Sequence, residues 1–236
     1  ATIAPTNPLQ IQRWWCMRLI GVFTLLLALG ACSSTSDSNP SDEQDRVLRM
    51  NQIQVLGTHN SYHIQPRDSI LEGLAIFDSP ETALSLEYTA LSLPEQFDRG
   101  VRQLELDVFA DPEGGMYAER KGLIVVGEDP ASNEPALDEP GMKVLHVQEV
   151  DFETHCLTLI ECLTQLRDWS DANPDHLPFT IMVEAKEETI SDPLDLGFAV
   201  PLEFGPEELA DLDEEILSVF PAERLIRPDD VRGDYP

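Results

Sequence analysis

Four short apolar runs in this chain each carry ionisable side chains at or near their ends. The first stops at Gly57 and delivers the pair His59-Asn60. The second alternates, with Leu104, Leu106 and Val108 on one face and Glu105 and Asp107 on the other, which is strand periodicity. Acids two residues apart on a strand point the same way, so their repulsion must be compensated, and a bound cation is the usual means. The third run ends on His146, and the fourth carries Glu184 and Lys186. Histidine changes charge near neutral pH and so can take or give a proton. The residue types therefore describe a cation site with proton-transfer groups beside it.

Such a site requires elements that bring distant runs together. The sequence predicts strands over 49–59, 101–108, 144–147 and 179–184. Helices are predicted over 93–99, with Pro94 in the first turn, over 157–172, stopping before Asn173-Pro174, and over 206–220. Residues 111–141 are rich in Pro, Gly, Asp and Glu, with a hairpin over 116–126 as one reading. Strands alternating with helices give an α/β fold, a parallel sheet with helices outside. In a (β/α)8 barrel the C-terminal strand ends form one rim where active sites sit, and eight strands take typically ~250 residues. Four strand–helix units fit a TIM-barrel type of which this chain holds the N-terminal half; the alternative is a small complete α/β domain.

Five segments, in this order, resemble the phosphatidylinositol-specific phospholipases C, in their calcium-dependent bacterial branch. They are GTHNSY (57–62), GVRQLELDVF (100–109), VLHVQEVDF (144–152), the stretch 155–179, and IMVEAK (181–186). The resemblance implies that His59 and His146 are the catalytic histidines. It also implies that Asn60, Glu105, Asp107 and Glu184 bind Ca2+, and an all-oxygen set suits a hard cation that takes six to eight oxygen ligands. The substrate would be a phospholipid or similar phosphodiester. One histidine would take the proton of an inositol hydroxyl and the other would protonate the departing oxygen, with the two roles unassigned. Lys186, on the same strand face as Glu184, is a candidate contact for the substrate phosphate. No motif of the family is evident in 111–143.

Plainer readings stand beside these. His59 fits a strand end and His146 a hydrogen-bonded core position. Glu105 and Asp107 fit the wet face of an edge strand, and Lys186 a solvated strand end. His63, His155 and His176 read as ordinary turn or helix-flanking residues, and Tyr62, Trp169 and Asn173 as structural. Two other functions are consistent with the pattern. One is a glycerophosphodiester phosphodiesterase, although His-Arg-Gly is usual there and this chain has His59-Asn60-Ser61. The other is a surface lipoprotein that keeps the fold as a non-catalytic binding module.

The N-terminal part predicts export. Arg13 and Arg18 precede an apolar run over 19–29, then Leu29-Gly30-Ala31-Cys32. That is the layout of a secretory signal, about half as long as the ~20 residues needed to span a bilayer. The ending resembles a bacterial lipoprotein signal, with Cys32 lipidated. Residues 1–31 are thus expected to be the signal, 32–48 a polar tether, and 49–236 the catalytic unit. The expected product is an exported, membrane-anchored bacterial lipoprotein, acting as a monomer. Beyond residue 31, 13 basic residues face 44 acidic ones, a net −31, which argues against nucleic acid as a partner. Cys156 and Cys162 are a pair in an oxidising compartment. Six residues apart in one helix they could not bridge, so a disulfide requires Cys156 to precede the helix; two buried thiols are the alternative.

Overall fold

The computed structural model describes residues 49–232. Its organising element is strand β2. Strand β1 is Leu56–Gly57, β2 is Val101–Phe109, β3 is Lys143–Val144 and β4 is Thr180–Ala185. All three other strands pair with β2. β1 and β4 run parallel to it, and β4 is in continuous register from Gln103↔Thr180 to Val108↔Ala185. β3 runs antiparallel at its end, with Val108 opposite Val144. A strand enclosed in this way is buried on both faces, and β2 is buried from Leu104 to Phe109.

Seven helices accompany the sheet among the described residues. They are α1 (Asp68–Phe77), α2 (Pro80–Leu86), α3 (Leu93–Asp98), α4 (Gly122–Val125), α5 (Leu159–Ala172), α6 (Pro206–Val219) and α7 (Pro228–Arg232). Helix α5 forms because Leu159, Cys162, Leu163, Leu166 and Trp169 recur at helical spacing and all become buried. The Thr158 side chain caps it by accepting the Glu161 N–H. That stripe packs with Leu93 and Phe97 of α3 and with Leu104, Leu106 and Val108 of β2 in the main core. No helix among the described residues is long and apolar enough to cross a membrane.

The mixed α/β class and the parallel pairing agree with the sequence. Several details differ. Strand β1 is two residues long, and the segment before it turns through a 3-10 helix at Met50–Gln52. The third strand is antiparallel because the chain re-enters at the C-terminal end of β2, running back along it. A short helix, α4, takes the place of a hairpin over 116–126, with one isolated bridge joining Glu119 to Ala131. Helices α1 and α2 have no counterpart in the sequence reading, although Ser79 caps α2 with its hydroxyl on Thr82 N–H. The expected signal, Cys32 and the tether lie outside the described residues.

Candidate metal and catalytic site

Strand register assembles the acids. Glu105 and Asp107 sit two apart on β2, and Asp107 pairs with Glu184 on β4. One carboxylate oxygen from each of the three lies within 4.8 Å of the others. Glu105 and Asp107 are buried, while Glu184 faces solvent. Burial pushes the Asp107 carboxyl above its ordinary range, and the Glu184 charge adds to this; the Lys186 ammonium works against it. Asp107 Oδ1 is buried without a hydrogen-bond partner, and so is the neighbouring Tyr62 hydroxyl. Burial and the Asp107 charge push that hydroxyl far above its usual value. Buried polar atoms are normally partnered. A buried carboxylate grouped with two further carboxylates offers the oxygen donors that a hard cation takes. Lys186 stands inside this cluster, with Nζ 3.3 Å from Asp107 Oδ2 and 3.1 Å from Glu184 Oε1.

The turn after β1 is fastened onto Glu105. Ser61 Oγ accepts the Glu105 N–H at 2.9 Å, and the Asn60 N–H donates to Glu105 Oε2 at 2.9 Å. Asn60 adopts a left-handed backbone, φ 46°, which Asn tolerates better than most residues. Its side-chain amide donates to the Tyr88 hydroxyl at 3.1 Å. Gly57 permits the approach to β2: a Cβ there would stand 3.1 Å from the Gln103 side chain. These constraints leave His59 at the mouth of the site, its side chain 77% exposed, with Nε2 3.5 Å from Glu105 Oε2.

His146 is positioned by a tight reversal after β3. Val147 and Asp151 bridge across it, and Glu149 takes a left-handed conformation, φ 70°. The reversal brings the side chains at its two ends together. His146 Nδ1 lies 2.6 Å from Asp151 Oδ2. A second histidine uses the same carboxylate: His63 Nε2 is 2.8 Å from Asp151 Oδ1 and 3.0 Å from Oδ2. His63 Nδ1 is 3.0 Å from the Tyr88 carbonyl, and the two rings stack at 4.2 Å. Asp151 and His63 are fully buried, whereas His146 is partly open. Burial acts to raise the Asp151 carboxyl, but the hydrogen bonds from His146 and His63 outweigh it and hold the group below the ordinary range.

The structure thus gathers Glu105, Asp107 and Glu184, with His59 and Asn60 against Glu105. His146 lies close enough to Asp107 that an imidazolium there would lower the carboxyl. The sequence reads His63 as an ordinary turn residue and does not mark Asp151, although His63 lies four residues after His59 and Asp151 lies within the segment that carries His146; the structure makes both of them part of the site. Cys156 and Cys162 are joined as a disulfide with a Cα–Cα distance of 5.2 Å, Cys156 lying ahead of α5.

A family model described as Ca2+-dependent phosphoinositide phospholipase C matches residues 48–236. No match to a curated protein was found. Similar solved structures include a calcium-dependent phosphoinositol-specific phospholipase C from the Gram-negative bacterium Pseudomonas sp. in a myo-inositol complex. It is 19% identical, covers 75% of this chain and 44% of its own, and has a TM-score of 0.40. Another crystal form of that enzyme without ligand is 20% identical, with coverages of 60% and 39% and a TM-score of 0.36. The chain therefore spans less than half the length of these solved relatives.

Proposed function

The chain belongs to the Ca2+-dependent phosphoinositide phospholipase C family, and from that premise we propose that it is part of a calcium-dependent phosphoric diester hydrolase acting on phosphatidylinositol-like lipids. The observation that carries this reading is the pairing of each candidate histidine with a buried carboxylate beside the acid cluster. His59 stands against Glu105, and His146 against Asp151. The (β/α)8 barrel, begun here by β1, β2 and β4, is the architecture we propose for the whole protein.

Cleavage of a phosphodiester needs a proton removed from the attacking hydroxyl, a proton supplied to the departing oxygen, and charge stabilisation at phosphorus. The imidazoles of His59 and His146 perform the two proton transfers. His146 binds Asp151 through Nδ1, so its Nε2 is the nitrogen that exchanges a proton with substrate. As the bond from the attacking oxygen to phosphorus forms and the bond to the lipid oxygen breaks, one imidazole gains a proton and the other loses one. Asn60, Glu105, Asp107 and Glu184 are the residues we assign to calcium. When bound, calcium supplies the positive charge that lets an anionic phosphodiester approach three carboxylates. Lys186, whose ammonium lies within the same cluster against Asp107 and Glu184, is the residue we assign to a phosphate oxygen. We further propose that export and a lipid anchor at Cys32 place the enzyme on a membrane.

The test uses the full-length protein and vesicles containing phosphatidylinositol. Chelation of calcium should abolish release of the phosphorylated head group, and added calcium should restore it. Glu105→Gln, which removes charge at nearly constant shape, should raise the calcium requirement by about tenfold or more. Undiminished turnover in excess chelator would contradict the assignment.

A further inference from the structure

Each nitrogen of the buried His63 ring faces only acceptors. Nδ1 faces the Tyr88 carbonyl and Nε2 faces both oxygens of Asp151. A neutral imidazole carries one N–H and can satisfy only one side. Both Asp151 oxygens face imidazole nitrogens, Oδ2 meeting both rings, so the carboxylate is an acceptor on each side and His63 donates from both nitrogens. The same carboxylate then accepts from His146 Nδ1 at 2.6 Å.

We propose that His63 is a positioning residue: through Asp151 it fixes the tautomer of His146, with the proton on Nδ1 and the lone pair on Nε2. Asp151 accepts from two imidazoles. His63 closes the buried side, through 2.8 and 3.0 Å contacts, and so leaves His146 one orientation in which to share the carboxylate. Stacking on Tyr88 and the bond to its carbonyl prevent His63 from turning away. Tyr88 in turn receives the Asn60 amide, so the Asp151 unit is tied to the turn that carries His59. A histidine whose second nitrogen is engaged by a carboxylate has its orientation and tautomer set in this way. The value of this arrangement for catalysis rests on the phospholipase reading above; the hydrogen-bond assignment does not.

Two readouts separate these levels. In nitrogen NMR of histidine-labelled full-length protein at pH 7, His63 should show two protonated ring nitrogens. His146 should show a protonated Nδ1 and an unprotonated Nε2. His63→Gln retains a donor toward Asp151, whereas His63→Phe has none. We expect the His146 tautomer to be retained in H63Q and mixed in H63F. kcat on phosphatidylinositol vesicles should fall about 10- to 100-fold in H63F, with partial recovery in H63Q and unchanged KM and calcium affinity. An unprotonated nitrogen on His63 in the wild type overturns the proposal whether or not H63F folds. So does a His146 tautomer that is unaltered in folded H63F. Zinc binding that shifts the His63 resonances would assign His63, Asp151 and His146 to a metal instead and would also overturn it. A wild type with these NMR signatures but no turnover on phosphatidylinositol would count against the substrate reading alone.

Discussion

Asp151 carries more of the site than its position in the sequence suggests. Its carboxylate is fully buried and serves two histidines at once. Removing one partner of a buried charged pair is costly, roughly 3–5 kcal/mol, because the other is left uncompensated. Asp151→Asn should therefore lose about that much stability at neutral pH. The sign of the pH dependence follows from the lowered carboxyl. Its stabilisation is present above the unfolded-state value of about 3.9 and is lost as pH falls through the lower folded-state value. Urea denaturation of wild type and variant at neutral pH and at about pH 3 should show the gap narrowing in acid. A gap that is absent at neutral pH, or that widens in acid, would contradict the role given to Asp151. At this scale the sequence is informative where chemistry follows from local pattern. Glu105 and Asp107 announce themselves by alternation, and His59, Asn60, His146 and Glu184 by resemblance. His63 and Asp151 do not, because their pairing depends on a reversal at 147–151 and on Tyr88, contacts between elements that no local pattern records.

Among the elements, β2 and α5 are the ones that hold the acids in place. The apolar stripe of α5 seats on the face of β2 that presents Leu104, Leu106 and Val108, leaving Glu105 and Asp107 to face the site. Leu166 is fully buried in that contact. Leu166→Ala should cost about 2–5 kcal/mol, as truncation of a buried leucine does. A loss below about 1 kcal/mol in a chemical melt would mean that α5 is not the seat of the sheet. Helix α5 was legible because its stripe and its stop at Asn173-Pro174 are strong local signals. The antiparallel β3 was not. Its two residues, Lys143 and Val144, carry no signal of direction, and direction is fixed by where the loop over 111–141 delivers the chain. Helix α1 lacks a side-chain cap, and the Ser79-Pro80 start signal marks only the short α2.

On the scale of the whole molecule, β2 is enclosed while its parallel neighbours β1 and β4 are not. Leu56 on β1 is 61% exposed and Met182 on β4 is 46% exposed, and the chain spans less than half the length of the solved relatives it matches. Fold class was readable because a strand–helix alternation needs only coarse pattern. The proposed anchor is tested directly. Mass spectrometry of the exported protein should find an N-terminal peptide that begins at a lipidated Cys32. An uncut upstream sequence with unmodified Cys32 would remove the anchor and leave the catalytic reading untouched.

The central claim is that His59 and His146 share one reaction beside a calcium site. The measurement that addresses it is turnover of phosphatidylinositol by full-length protein carrying His59→Ala, His146→Ala, or both. Each single change should lower kcat by about 10²–10⁴-fold, the range for a lost general acid or base. The double change should cost less than the product of the two, because groups that act as a unit are not additive. Calcium affinity, measured by titration calorimetry, should stay at the wild-type value throughout. Near-wild-type turnover in either single variant would remove that histidine from the mechanism, and full activity in both would contradict the account.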